Sequence, residues 1–400
     1  MSTLSELRIG VIGVGGRGSL AEYAHKPQQN VRVVGGADID DEQLESFKEK
    51  FGPKVFLTND YRRLLERGDI DAVFVTSPDF YHENQAVAAL NAGKDVYLEK
   101  PMAITTAGCD NILKAAHENK RKLYLGHNMR HISFIKKMIE LIDNGAIGEV
   151  KSVWCRHFIS YGGDAFFRNW HAERRYTNSI LLQKASHDID IIHCFSNGYS
   201  QTVNAMGALM VYDKVKDRHA PGEKVDVAAH WDEAPWPPLS LKGLNPVIDV
   251  EDLSMMQMMM DNGTYGCYQQ CNFTPDAWRN YTVIGTEGRI ESFGDHPGEC
   301  VVRLWNRRTT YNPYGDEQYF MPPEEGTSAG SDPKIVAEFL DYIRNDAKIT
   351  TSAVAARNAV AAGCAATESL RNQNKAVNIE PLPKTLTDYF TNDEIRPIGS

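Results

Sequence analysis

Short apolar runs alternate with polar, helix-periodic stretches over the first third of the chain. Arg8-Ile-Gly-Val-Ile12 predicts a strand that ends in a glycine-rich turn, Gly13-Val-Gly15-Gly16-Arg17-Gly18, and a helix is expected over Leu20–Ala24. Val31–Val34 predicts the next strand, closing on Gly36-Ala-Asp38, followed by a polar helix over Asp41–Phe51, a short strand at Lys54–Phe56 and a helix starting at Asp60. Ala72-Val-Phe-Val-Thr76 carries no alternation, the pattern of a strand buried on both faces of a parallel sheet. Helices over Asn84–Asn91 and Ala103–Asn119, with strands at Asp95–Leu98 and Leu123–Leu125, complete the series. Strands regularly separated by helices predict βαβ units and a doubly wound parallel sheet.

After Gly148 the period changes. Val150–His157, Val203–Gly207, Leu253–Met260, Thr264–Phe273, Tyr281–Ile284, Gly288–Glu291 and Val301–Leu304 are strand-like with close turns, and Asp261-Asn-Gly263 is a hairpin signal. Helices are expected over Gln183–Phe195, Pro333–Arg344 and Ala353–Arg371, the first two flanking this half. The fold class is therefore α/β: a doubly wound domain over 1–128, then an α+β domain with an open, mostly antiparallel sheet over 129–400. A proline-studded loop, 212–252 (Pro221, Pro235, Pro237, Pro238, Pro246), is long enough to be functional, interfacial or mobile.

Composition narrows the function classes. At 400 residues the chain exceeds one compact core, and 42% hydrophobic with 24% charged residues is ordinary for a globular protein. A net charge of −10 argues against nucleic acid as a partner, since a polyanion requires a basic footprint. No apolar stretch nears the ~20 residues that span a bilayer, so no membrane is expected. Met1–Arg8 lacks a basic-then-apolar signal pattern. The seven cysteines form no C-x-x-C pair, so we expect free thiols of a cytoplasmic protein, without disulfides or zinc.

The glycine turn carries the firmest chemistry. G-x-G-x-x-G gains meaning here because it follows a strand, opens a helix and precedes an acid at the tip of the second strand, Asp38. Gly13 permits the tight turn, Gly15 the approach of a pyrophosphate and Gly18 close helix–strand packing, while the helix start offers amide donors. Asp38 suits the ribose hydroxyls of NAD and would repel the 2′-phosphate of NADP. Thr76-Ser77-Pro78, with His82 beyond it, and Glu99-Lys100-Pro101 each follow a strand, at the end where such sheets hold ligands.

In order along the chain, Gly13–Gly18, Asp38, Thr76-Ser77-Pro78 with His82, Glu99-Lys100-Pro101, Gly126-His-Asn128-Met-Arg130 and His187-Asp-Ile-Asp190 resemble the Gfo/Idh/MocA family, named from glucose–fructose oxidoreductase and inositol dehydrogenase. The resemblance spans nearly the whole chain. It implies an N-terminal Rossmann domain that binds NAD, a sugar or cyclitol substrate in the cleft, and a homodimer or homotetramer formed through the C-terminal sheet. It makes Lys100 and His187 the catalytic pair and places Gly13, Gly15, Gly16, Arg17, Gly18, Asp38, Thr76, Ser77, Pro78, His82, Glu99, Lys100 and Asn128 at the cofactor. A histidine titrating near neutrality suits removal of a hydroxyl proton, and a nearby ammonium suits a developing alkoxide. Asp190 is expected to orient a histidine or cap a polar contact, and His193 to be structural; no metal is expected.

The chain departs from the family where an aspartate often stands four residues before the histidine: here it is Gln183, followed by Lys184. Upstream, Arg168-Asn-Trp170-His171-Ala-Glu-Arg174-Arg175-Tyr176 is basic and aromatic. Trp170 and Tyr176 could stack on a pyranose face while arginine forks hold a carboxylate, sulfonate or phosphate, or Glu173 could pair with its neighbours in a solvated loop. With Arg130, His171, Gln183, Lys184 and His187 these residues form the expected substrate set, for a sugar, sugar acid or glycoside that is anionic if the arginines bind it. The readings that follow are an NAD-dependent dehydrogenase acting at a ring hydroxyl, often carbon 3; a redox-neutral glycosidase of the sulfoquinovosidase kind, oxidising, eliminating, hydrating and re-reducing; and a non-catalytic NAD sensor, which the intact Lys100/His187 pair opposes. Met255–Met260 is expected to serve core and self-association.

Overall fold

The computed structural model describes residues 6–223, 225, 236–296 and 298–399. Met1–Ser5 and part of the 212–252 loop, including Pro235, lie outside the described residues. Two compact units form, one of Met1–His131, Glu325–Arg357 and Leu382–Pro397, the other of Ile132–Glu324, Asn358–Pro381 and Ile398–Ser400.

Among the described residues the first unit is built on six parallel strands, β1 (Leu7–Ile12), β2 (Val31–Ala37), β3 (Phe56–Thr58), β4 (Ala72–Val75), β5 (Asp95–Leu98) and β6 (Leu123–Leu125), in the order β3-β2-β1-β4-β5-β6. That is the doubly wound order whose reversal point lies beside β1. The helices α1 (Ala21–Ala24), α2 (Asp41–Phe51), α3 (Tyr61–Leu65), α4 (His82–Asn91) and α5 (Thr106–Asn119) connect the strands. Local chemistry starts three of them: Asp40 accepts from Glu42 N, Asp60 from Arg62 N and Thr105 from Gly108 N. Two expectations shift. The stretch after the glycine turn begins as a 3₁₀ turn over Gly16–Leu20 and only then becomes the single α turn of α1. The strand expected at Lys54–Phe56 forms instead at Phe56–Thr58, because pairing with Gly35–Ala37 sets its register.

In the second unit α6 (Ser133–Asp143), two short helices α7 (Gly162–Ala165) and α8 (Arg174–Thr177), and α9 (Ile180–Ser196) accompany β7 (Val150–Phe158), β8 (Ser200–Ala208), β9 (Leu253–Met260), β10 (Tyr265–Cys271), β11 (Trp278–Gly285), β12 (Arg289–Phe293), β13 (Val301–Trp305), β14 (Glu317–Phe320) and β15 (Val377–Asn378). Among the described residues these strands make one sheet, β14-β13-β12-β11-β7-β10-β9-β8-β15, antiparallel except for β7 beside β10. Ser179 caps α9 by accepting from Leu182 N, and α9 packs on β7 and β10. The sequence reading omitted α6, although Phe134, Ile135, Met138 and Leu141 bury one helical face. The ends of the long loop are ordered around a core of their own: Tyr212, Val215, Leu241, Leu244 and Val250 are buried with Phe166 and Phe167, and Asp252 accepts from the backbone of Met210, Val211 and Tyr212.

The last segments are α10 (Asp332–Asn345), α11 (Ala353–Arg371, at the expected bounds) and α12 (Lys384–Thr391). The sequence reading set α10 beside the second half, but it belongs to the first unit. Phe339 meets Phe74 and Tyr97 edge-on at 5.1 and 5.5 Å, and Ile335, Val336 and Leu340 join the same core. An amphipathic face requires an apolar partner without naming which one.

Candidate functional site

Every dinucleotide motif in the first unit stands just beyond the carboxyl end of a strand: Gly13 after β1, Asp38 after β2, Thr76 after β4, Glu99 after β5, Asn128 shortly after β6. At Gly13 φ is +83°, and an added Cβ would lie 2.6 Å from Ser77 N; one at Gly18 would lie 2.5 Å from the Gly13 carbonyl oxygen. Thr76 Oγ1 donates to that same carbonyl at 2.7 Å. These contacts clamp the turn from behind, whereas a Cβ at Gly16 would meet nothing within 4 Å, so the cradle stays open toward a pyrophosphate. The Asp38 carboxylate accepts from Val14 N at 2.9 Å and Asp40 N at 3.0 Å, which fixes it against the turn. The donors and the open cradle fit a dinucleotide.

His82, expected at the cofactor, is buried and ties two loops: its Nδ1 lies 2.7 Å from the Pro101 carbonyl and its Nε2 2.8 Å from that of Ser77. Ser77 Oγ donates to Gln85. The Lys100–Pro101 bond is cis, and Lys100 is half-buried. Glu99 is buried; its Oε2 accepts from Lys100 N at 3.0 Å and its Oε1 from Arg17 Nη2 at 2.8 Å. Arg17 also pairs with Asp332, whose carboxylate takes Asn128 Nδ2 at 3.2 Å. Asp332 was missed; its only sequence signal, an acid before Pro333, reads as a helix start. Arg130, expected at the substrate, is buried in this unit and donates to the Thr350 carbonyl.

In the second unit, α9 is buried all round except at Lys184 and His187, one turn apart. Lys184 Nζ lies 5.5 Å from the Tyr161 ring centre and 5.7 Å from that of Phe166, a cation against two aromatic faces. Trp170 stacks on His171 at 3.6 Å, and Phe166 meets His171 edge-on. Gln183 is buried. Asp190 is buried, and His193 Nε2 accepts from Ser200 N, a structural contact.

The basic loop carries no idle fork. Arg168 is buried and pairs with Asp164 at 3.0 Å, Arg174 with Glu251 at 3.0 Å, and Arg175 with Glu173 at 2.7 Å while lying over the Tyr176 ring. Each of these guanidinium groups thus already faces a carboxylate of its own chain.

Behind His187, on the sheet side of α9, Asp188 anchors a buried cluster. Arg279 Nε lies 2.8 Å away, His157 Nδ1 3.2 Å, and Tyr281 donates to the same carboxylate. Burial, reinforced by Arg279, pushes His157 down to about 3, so its ring is neutral. Burial opposes the Asp188 charge as well, but Arg279 and His157 outweigh it and hold the carboxyl well below the usual range. The motif His187-Asp-Ile-Asp190 hid this cluster, since Asp188 stands next to the expected histidine but is turned about 100° around the helix from it, into the sheet.

Comparison with known proteins agrees with this architecture. Residues 7–127 match the Gfo/Idh/MocA "Oxidoreductase family, NAD-binding Rossmann fold", and residues 139–379 its "C-terminal alpha/beta domain". A 1-carboxy-3-chloro-3,4-dihydroxycyclohexa-1,5-diene dehydrogenase of Comamonas testosteroni is 32% identical over 195 residues, 48% of each chain. Inositol 2-dehydrogenase of Salmonella typhimurium is 31% identical over 201 residues, 49% of this chain and 56% of its own. The matched region thus spans about half the length of these relatives. A levoglucosan dehydrogenase solved with NADH shares the fold at a TM-score of 0.74 and 22% identity, over 94% of this chain and all of that one.

Proposed function

The chain belongs to the Gfo/Idh/MocA oxidoreductase family, and from that premise we propose that it oxidises a ring hydroxyl of a neutral sugar or cyclitol with NAD. One observation carries the reading: the glycine turn, Asp38, Thr76–Pro78 and Glu99-Lys100 converge on the carboxyl edge of one parallel sheet, where such sheets hold ligands. The turn at Gly15 and Gly16 holds the pyrophosphate and Asp38 the ribose hydroxyls. Bound NAD supplies the hydride acceptor. His187 takes the hydroxyl proton and the Lys100 ammonium stabilises the alkoxide that develops. The inositol and levoglucosan in the relatives' names support a polyhydroxylated ring. Half-buried Trp170 offers it stacking surface, and the carboxylate-paired arginines favour a neutral substrate over an anionic one.

The finer assignments rest on the same reading. Trp154, Met206, Met255, Met259 and Tyr265 are exposed on neighbouring strands of the second-unit sheet, and an apolar face of this kind suits a second copy of the chain. Sedimentation tests it, and a monomer at micromolar concentration ends it. With its free cysteines we assign the enzyme to the cytoplasm. Among the described residues no helix is long and apolar enough to cross a membrane.

The test of function is incubation with NAD and a panel of free sugars, cyclitols and aryl glycosides, sulfonated ones included. NADH accumulating with a neutral ring is the expected result. Aglycone release without net NADH would move the protein to the redox-neutral glycosidases, and no turnover with intact NAD binding would leave a sensor.

A further inference from the structure

Arg17 sits between two buried carboxylates that come from opposite ends of the sequence. Glu99 and Asp332 side chains are 5% and 2% exposed, and a carboxylate so placed needs a counter-charge. Arg17 gives Glu99 Oε1 two donors, Nε at 3.1 Å and Nη2 at 2.8 Å. Its other edge makes a parallel fork to Asp332, Nη1 to Oδ2 at 2.8 Å and Nη2 to Oδ1 at 3.0 Å. Asp332 is held in turn by Thr327 Oγ1 at 2.6 Å, Ser328 Oγ at 2.9 Å and Asn128 Nδ2 at 3.2 Å. On the far side, Glu99 Oε2 accepts from the backbone N–H of Lys100 at 3.0 Å.

We propose that Asp332 is a positioning residue for Lys100, acting through Arg17 and Glu99. The relay is continuous: Asp332 fixes one edge of the guanidinium, the guanidinium fixes one oxygen of Glu99, and the other oxygen fixes the peptide that carries the lysine. A guanidinium held by two carboxylates is a strut between them. Burial works against the charges on Arg17 and Asp332, but Glu99 and then Asp332 more than offset it on the guanidinium, which is raised, and Arg17 with Thr327 and Ser328 more than offset it on the Asp332 carboxyl, which is lowered. Neutralising Asp332 leaves Arg17 and Glu99 free to re-pair, and Lys100 loses its register at the edge of the sheet.

The inference rests on Lys100 being catalytic, and its test reads the lysine directly. Acetylation of Lys100 by acetic anhydride is followed by peptide mass spectrometry across pH, on the full chain with and without NAD. Asp332→Asn is expected to change the labelling rate about threefold or to displace its pH midpoint by about half a unit, with NAD affinity by calorimetry within about threefold of the parent. On the sugar that the parent oxidises fastest, kcat should fall about tenfold while KM for NAD holds, the signature of a misplaced group. Asp332→Glu, which keeps the charge, should return the labelling profile toward that of the parent. An Asp332→Asn profile superimposable on the parent's overturns the proposal. If Asp332→Asn does not fold, the Thr327→Val/Ser328→Ala variant strips two donors from the same carboxylate and is read the same way. Near-normal turnover in Lys100→Ala would remove the catalytic reading itself, whereas an inactive Lys100→Ala beside an unchanged Asp332→Asn removes only this inference.

Discussion

His82 and Pro101 are joined across two loops, the imidazole Nδ1 lying 2.7 Å from the proline carbonyl directly after Lys100. The same ring reaches the Ser77 carbonyl at 2.8 Å, so one buried side chain ties the turn after β4 to the segment after β5. A neutral imidazole has a single N–H and can donate to only one of the two oxygens.

Truncation at this point should loosen both loops. His82→Ala leaves one of the two carbonyl oxygens short of its donor and removes the ring that packs between the loops, at a cost of about 1–3 kcal/mol. For a unit of this size that is a fall of roughly 3–10 °C in Tm, measured by calorimetry. An unchanged Tm would show that water takes over the ring's contacts.

Lys100→Ala is expected to abolish NADH formation while NAD affinity, measured by calorimetry, stays within a few-fold. A large loss of NAD binding would instead make the lysine a cofactor anchor.

Cofactor choice should follow Asp38. Its carboxylate stands at the turn, and the next residue, Ile39, is 85% exposed. Asp38→Ser combined with Ile39→Arg removes the charge that repels a 2′-phosphate and adds one that attracts it. Initial rates should show the ratio of NADP to NAD use rising by about two orders of magnitude, roughly 2.7 kcal/mol. A ratio that does not move would place recognition elsewhere.

The arginines of the basic loop should separate by burial. Arg168→Ala strands the buried Asp164 carboxylate and should destabilise by about 3–5 kcal/mol. Arg175, 67% exposed, should contribute under about 1 kcal/mol to its pair with Glu173. Denaturant melts of the two variants check both values. Turnover of a neutral sugar by Arg175→Ala should stay close to normal, and a sharp loss confined to anionic sugars would restore the anion reading.

Stability should fall with acid through the cluster under α9. His157 is held at about 3 against 6.5 for a free imidazole, so between those values the unfolded chain binds a proton that the folded one refuses. The contribution is complete above 6.5 and is lost as pH drops toward 3. Asp188, depressed as well, adds a loss in the same direction at lower pH. Tm measured across this range should decline in the parent and flatten in His157→Gln; parallel curves would assign the acid sensitivity to other groups.

Features written in consecutive residues were legible before any coordinates. The expected helix starts at Asp41 and Asp60 are set by Asp40 and Asp60, whose side chains accept from amides two positions ahead. Ala72–Val75 is a central strand because it is apolar throughout, and the glycine turn follows from residues within one loop. Such contacts span a few residues, so spacing alone reports them. Tertiary structure alone decided the partners. Arg17 finds Glu99 and Asp332 at sequence separations of 82 and 315, Arg130 turns into its own unit toward Thr350, and α10 buries its face on Phe74 rather than on the later strands. Charge and amphipathicity state that a side chain needs a counter-charge or an apolar neighbour. Only the folded chain says which residue meets that need, because many distant candidates satisfy the same pattern equally well.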